Sequence, residues 1–126
     1  MSSREKLINA ATSSLKYSYS KYSKLRVAAA ILTKEGNIIT GCNIENRSLG
    51  LSICAERVAL FKAVSEGCRA IKSIGITSSL QEPVYPCGAC RQVLSEFEPN
   101  LVIYVNHDRR SYKLSKIHPL NFDNKF

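Results

Sequence analysis

"CAERVALFKAVSEGCRAIKSIGIT", residues 54–77, is where the fold is decided. Its first fourteen residues have a helical pattern. Ala55, Val58, Ala59 and Val64 mark one apolar face, and Gly67 sits where a C-cap belongs. Residues 71–77, "IKSIGIT", read as a strand. A strong helix running into a strand points to an α/β arrangement rather than a bundle or an all-β sandwich.

Working outward from there extends the pattern. Upstream, "LRVAAAILT" and "IITGCN" are apolar and extended on either side of "KEGN", a β-hairpin signal with Gly36 in the turn. Leu7, Ile8, Ala11 and Leu15 give a first helix over residues 3 to about 16, and "KYSYSKYSK" reads as a loop. "IENRSLGLSI", residues 44–53, is a long irregular loop, a kind that is usually functional or mobile. Downstream, "GACRQVLSEFE" reads as a helix stopped by Pro99. "LVIYV" is an almost fully apolar strand suited to the middle of a sheet, and "SYKLS" is a short strand. "KIHPLNFDNKF" is a tail with room for one helical turn. Strands alternating with helices argue for an α/β sandwich around a mixed sheet.

Composition narrows the function classes. The chain has 126 residues, 44% hydrophobic and 22% charged, enough for one compact domain and too few for two. No apolar run approaches the ~20 residues of a membrane helix, and the N-terminus lacks the pattern of a signal peptide, so a cytoplasmic protein is expected. The net charge is +8, but Lys and Arg are dispersed and do not interleave with aromatics. A solvated basic surface is expected, not a nucleic-acid face. In a reducing compartment, five cysteines point to metal ligation, catalysis or buried thiols rather than disulfides.

Cys87 and Cys90 form a Cys-x-x-Cys pair without a second such pair. Such a pair is half of a metal site, a redox dithiol, or coincidence. Cys54 bears on the choice. It opens one helix as Cys87 and Cys90 open another, and helix N-termini offer free amides and a partial positive charge that favour thiolates. Three converging thiolates with one open position form the pattern of catalytic zinc. Glu56, two residues after Cys54, falls beside such a metal without having to ligate it, as a proton shuttle requires. Cys-x-Glu followed by Pro-Cys-x-x-Cys resembles the signature of zinc deaminases of bases. Cys42 and Cys68 are expected as plain thiols, and His107 and His118 as surface residues.

With these residues in view, the chain resembles the small homotetrameric, three-cysteine cytidine deaminases. "GCNIEN" (41–46), "CAER" (54–57), "FKAVSEG" (61–67) and "PCGACRQ" (86–92) carry the likeness, which runs from about Tyr22 to Phe122. The resemblance implies a single domain over residues 1–126, a three-layer α-β-α sandwich around a mixed five-stranded sheet. It implies one zinc ion per subunit on Cys54, Cys87 and Cys90, with Glu56 as acid and base. It implies Asn43 and Glu45 on the ribose, the Ala55 backbone on the pyrimidine carbonyl, and the carbonyl of Tyr85 on the leaving amino group. Phe122 corresponds to an aromatic placed near a neighbouring subunit's site. The implied reaction converts cytidine and deoxycytidine to uridine and deoxyuridine with release of ammonia, in pyrimidine salvage. Three zinc-bound thiolates leave the metal over-negative. Arg57 is therefore expected to bond a cysteine sulfur, the alternative being an outer-face pair with an acid such as Glu66.

The sequence departs from the family at four places. Leu25-Arg26-Val27-Ala28 stands where Phe-Pro-Val-Gly is usual, so Leu25 offers the base an aliphatic wall. Arg47 and Leu49 occupy a loop that usually carries Ala and Tyr. Tyr85 replaces a common Ser, and His118 an apolar residue. The rival functions are deamination of a modified cytosine nucleoside or a single-stranded polynucleotide, and a catalytically silent zinc-binding scaffold.

Overall fold

The computed structural model describes residues 1–123. Five strands form one mixed sheet in the order β2-β1-β3-β4-β5. These are β1 (Val27–Thr33), β2 (Ile38–Cys42), β3 (Ile71–Ser78), β4 (Val102–Val105) and β5 (Ser111–Lys113). β1 runs antiparallel to both β2 and β3, β3 and β4 are parallel, and β4 and β5 are antiparallel.

Helix α1 (Ser3–Ser14) covers one face, and α2 (Ala55–Ser65) and α3 (Gly88–Phe97) the other, giving the expected three layers. β1 feeds both layers because successive side chains point to opposite faces. Ala28 and Ala30 join Leu7 and Ala11 under α1, while Ala29 and Ile31 join Ala59, Leu60 and Leu94 under α2 and α3. The run of alanines keeps this central strand thin, and two glycines bring the helices closer still. A Cβ on Gly41 would meet the backbone of α2, 2.9 Å from the Ala55 carbonyl oxygen. One on Gly75 would lie 2.7 Å from Leu7 Cβ.

α1 starts on a serine N-cap. Ser2 accepts a hydrogen bond from the Glu5 amide, satisfying one of the free donors of the first turn. It stops at Ser14 and tightens into a 3₁₀ turn over Leu15–Tyr17, so the expected helix to residue 16 ends in a different winding. β1 begins at Val27, two residues later than expected, because Asn43 takes the Leu25 carbonyl and the Val27 amide into side-chain bonds. The expected strand 111–115 breaks after Lys113. Leu114 turns inward, its amide donating to the Leu101 carbonyl, and starts a short helix α4 (Leu114–Ile117). The helical turn thus starts two residues before the tail in which it was expected and ends inside it. Residues 124–126 of that tail lie outside the described residues. Among the described residues, no helix is long and apolar enough to cross a membrane.

Candidate active site

Cys54 and Cys87 are the N-caps of α2 and α3, both with extended backbone, and neither side chain caps its own helix. Their carbonyls accept the first helical bonds, from Val58 at 3.1 Å and Arg91 at 3.0 Å. The thiols are therefore free to turn toward each other, with the positive ends of two helix dipoles behind them. Loop 44–53 delivers Cys54 to this place. Ile44 and Ile53 exchange both backbone bonds, at 3.0 and 2.9 Å, which closes the loop on itself. On the other side, Arg91 Nε donates to the Pro86 carbonyl at 2.9 Å and fixes the chain entering Cys87.

The Sγ atoms of Cys54, Cys87 and Cys90 all lie within 4.8 Å of one another. Cys54 and Cys87 are 3.9 Å apart. Ligand sulfurs on a tetrahedral zinc stand about 3.8 Å apart, given Zn–S near 2.3 Å, so this donor set fits zinc in chemistry and in spacing. Arg57 Nη2 donates to Cys54 Sγ at 3.5 Å, and the Arg57 Nε is buried without a partner. Arg57 thus faces the sulfurs, not Glu66.

Glu56 is 4% exposed. Burial pushes its carboxyl up to about 7, and the neighbouring Cys54 thiolate adds to the rise. Among the thiols, a hydrogen bond from Cys90, helped by Arg57, holds Cys54 down at about 5, while the same bond and burial push Cys90 up. The protein thus favours the thiolate at Cys54 over Cys90, a bias toward negative charge that suits a cation.

A cavity of about 300 Å³ opens onto these groups, large enough for a small ligand. Cys54, Ala55, Glu56 and Cys87 line it together with the polar Ser23, Asn43 and Glu45; Leu25, Val27, Val84 and Tyr85 contribute apolar and aromatic walls. Ten of the eleven residues singled out in the sequence fall in or against this site. Phe122 does not. It is exposed, and its backbone N–H and C=O both bond the Gln92 amide on α3. His118, expected at the surface, is half-buried and bonds the same Gln92 at 3.1 Å.

Asn43 and Glu45 have internal work as well. Asn43 Oδ1 accepts from Ser18 and from the Val27 amide, and its Nδ2 donates to the Leu25 carbonyl. Glu45 accepts from the amides of Tyr22 and Ser23 and from the Ser23 hydroxyl, which lowers its carboxyl below the usual range. Ser18 and Ser23 had no sequence signal beyond their place in a Ser/Tyr/Lys-rich loop. Asp108, which holds the Tyr85 hydroxyl at 2.6 Å, had none either.

Residues 1–106 match the family described as the cytidine and deoxycytidylate deaminase zinc-binding region. A cytidine deaminase of Halalkalibacterium halodurans is 50% identical over 96 residues, covering 76% of this chain and 73% of the relative. One from Sporosarcina psychrophila is 48% identical over 93 residues, 74% of this chain and 68% of the relative. Among solved structures, a cytidine deaminase from Burkholderia pseudomallei superposes with a TM-score of 0.90 at 38% identity, covering 97% of this chain and 100% of that one.

Proposed function

The chain belongs to the cytidine and deoxycytidylate deaminase family, and from that membership we propose that it hydrolyses cytidine and deoxycytidine to uridine and deoxyuridine, releasing ammonia. The observation that carries this reading is a cluster of three thiols with a buried carboxyl two residues from one of them, two of the thiols and the carboxyl lining a cavity of about 300 Å³.

Cys54, Cys87 and Cys90 hold one zinc ion per chain. When bound, zinc supplies Lewis acidity that brings the pKa of water toward about 7. Glu56 would accept a proton from the attacking water and pass it to N3 of the pyrimidine, so that the hydroxide adds to the electrophilic C4. It would then take the proton of the new C4 hydroxyl and give it to the amino group, so that the C4–N bond breaks, ammonia leaves and the C4 carbonyl of the product forms. A carboxyl held near 7 by burial suits both transfers, because it gains and loses a proton at little cost near neutral pH. Arg57, donating to Cys54, offsets negative charge on the sulfurs.

The polar lining residues take the sugar. Asn43 keeps one N–H and Glu45 keeps lone pairs beyond their internal bonds, so each can add a ribose hydroxyl to a position already fixed. The Ala55 amide, in the first turn of α2, is the donor we assign to the pyrimidine carbonyl, and the carbonyl of Tyr85 the acceptor for the amino group. Leu25 packs on the base. The described residues share one sheet, which supports a single deaminase-like domain over 1–126. Exposed Leu49, Leu51 and Ile44 support a homotetramer that covers them, in which Phe122 reaches a neighbouring site. A soluble cytoplasmic enzyme of pyrimidine salvage fits these properties.

The test is direct. Zinc-loaded protein mixed with cytidine or deoxycytidine is expected to lower the absorbance of the cytosine band, and metal analysis to give one zinc per chain. No decrease with cytidine, deoxycytidine or cytosine would refute the proposed activity. A silent scaffold would have no use for a buried acid beside its metal, and Glu56 argues against it.

A further inference from the structure

Tyr85 lines the same cavity as Glu56 and Cys87 and stands two residues before Cys87 in the chain. Although its side chain is 43% exposed, it is tethered. Its hydroxyl donates to Asp108 Oδ2 at 2.6 Å, and Asp108 is 8% exposed. The Tyr112 hydroxyl donates to the same oxygen, while Arg110 donates to Oδ1 from its amide at 3.0 Å and its Nε at 3.2 Å. The rings of Tyr85 and Tyr112 meet edge to face, 6.0 Å between centroids. The backbone is held too. Pro86 restricts the residue before it, and Arg91 grips the Pro86 carbonyl and, at 2.9 Å, the Ile117 carbonyl. A tyrosine at the mouth of a cavity would ordinarily swing between rotamers. This one is fixed at both ends.

The position of the base gives the tether a use. If Glu56 serves N3, the C5 edge lies on the other side of C4 and faces away from Glu56; Val84 and Tyr85, which line the cavity on the segment leading into Cys87, are available to wall it. Leu25, aliphatic, leaves the cavity without a second aromatic wall there.

We propose that Tyr85 is a specificity-determining residue, locked against the C5 edge of the cytosine by Asp108, so that the enzyme accepts unsubstituted cytosine nucleosides and discriminates against those carrying a methyl group at C5. Asp108 is a positioning residue that acts through Tyr85. The proposal rests on the deaminase reading.

The experiment compares kcat/KM for cytidine and 5-methylcytidine in the zinc-loaded protein. Tyr85→Phe keeps the ring and removes the tether; Tyr85→Ser removes the wall. Losing one hydrogen bond corresponds to about threefold to tenfold, so the preference for cytidine is expected to fall by about that much in Tyr85→Phe and further in Tyr85→Ser. The change should sit mainly in KM, because no group that moves a proton is touched. Asp108→Ala should lower the preference in the wild-type background and leave it unchanged in the Tyr85→Phe background, which a general loosening of the fold would not do. If Asp108→Ala does not fold, the two Tyr85 variants decide alone. An unchanged preference in folded Tyr85→Phe and Tyr85→Ser overturns the proposal, as does an equal effect of Asp108→Ala in both backgrounds. Failure of wild type to turn over cytidine refutes the deaminase reading instead. Calorimetric titration of the two nucleosides into the same variants then judges the tether by binding.

Discussion

At the scale of single residues, Glu56 and Arg57 make adjacent but separable contributions. Glu56→Gln keeps the shape of the buried side chain and removes its proton transfers, so turnover should drop by about 10²–10⁴ with zinc content unchanged, read by absorbance and metal analysis together. Arg57→Ala should lower zinc retention in competition with a chelator as well as turnover, and Arg57→Lys should restore part of both, since one donor can still reach Cys54. Unchanged zinc retention and activity in Arg57→Ala would remove its proposed role. Asp108 gives the pH dependence. Hydroxyls of Tyr112 and Tyr85, then Arg110, hold its carboxyl well below the usual range. A lowered folded-state pKa stabilises the fold above the ordinary carboxylate range, and that stability is lost as pH falls through the folded value. The wild-type advantage in melting temperature over Asp108→Asn should therefore be full at neutral pH and shrink steadily below about pH 4. The thiols and Glu56 were legible in the sequence because their spacing follows two helix starts. Asp108 was not, since Tyr85, 23 positions earlier, meets it only when the segment before α3 folds against the turn between β4 and β5.

At the scale of elements, the closeness of α2 to the sheet sets the site. Gly41 lets the helix lie on β2, and α2 carries both Cys54 and Glu56. Gly41→Ala should destabilise by about 1–3 kcal/mol, because the obstacle is backbone and cannot rotate away. The expected readout is a lower denaturant midpoint, with activity falling as α2 shifts. Gly75→Ala should cost stability with little effect on turnover, since its neighbours are Leu7 and α1, across the sheet from the metal. The helices and the hairpin were legible because their apolar periods and Gly36 are strong local signals. The fate of "SYKLS" was not. Its alternation suits a strand, but Leu114 has a buried place and the Leu101 carbonyl as a partner, and these tertiary demands outweigh a three-residue preference. The long loop 44–53 read as mobile or functional, and its closure by Ile44 and Ile53 shows how it holds Cys54 steady.

At the scale of the whole molecule, the surface of one chain is unevenly apolar. Leu49 is 69% exposed, Leu51 68% and Ile44 47%, all on the loop beside the cavity. Sedimentation should find a tetramer, and Leu49→Asp with Leu51→Asp should shift it to smaller species with weaker activity. A wild-type monomer with full turnover would exclude the assembly. The layer order and mixed sheet followed from the alternation of helices and strands, whereas which faces meet a second copy depends on surfaces the sequence lists without grouping. The placement of the thiols also bears on how the chain breathes. Cys54 and Cys87 stand 33 positions apart, one on the helix that leans on the N-terminal hairpin and one on the helix before β4. Zinc across them closes a long loop and makes two halves of the sheet open together or not at all. With the metal chelated, amide hydrogens in α3 should exchange independently of those in α2; with it bound, both should slow to one shared rate.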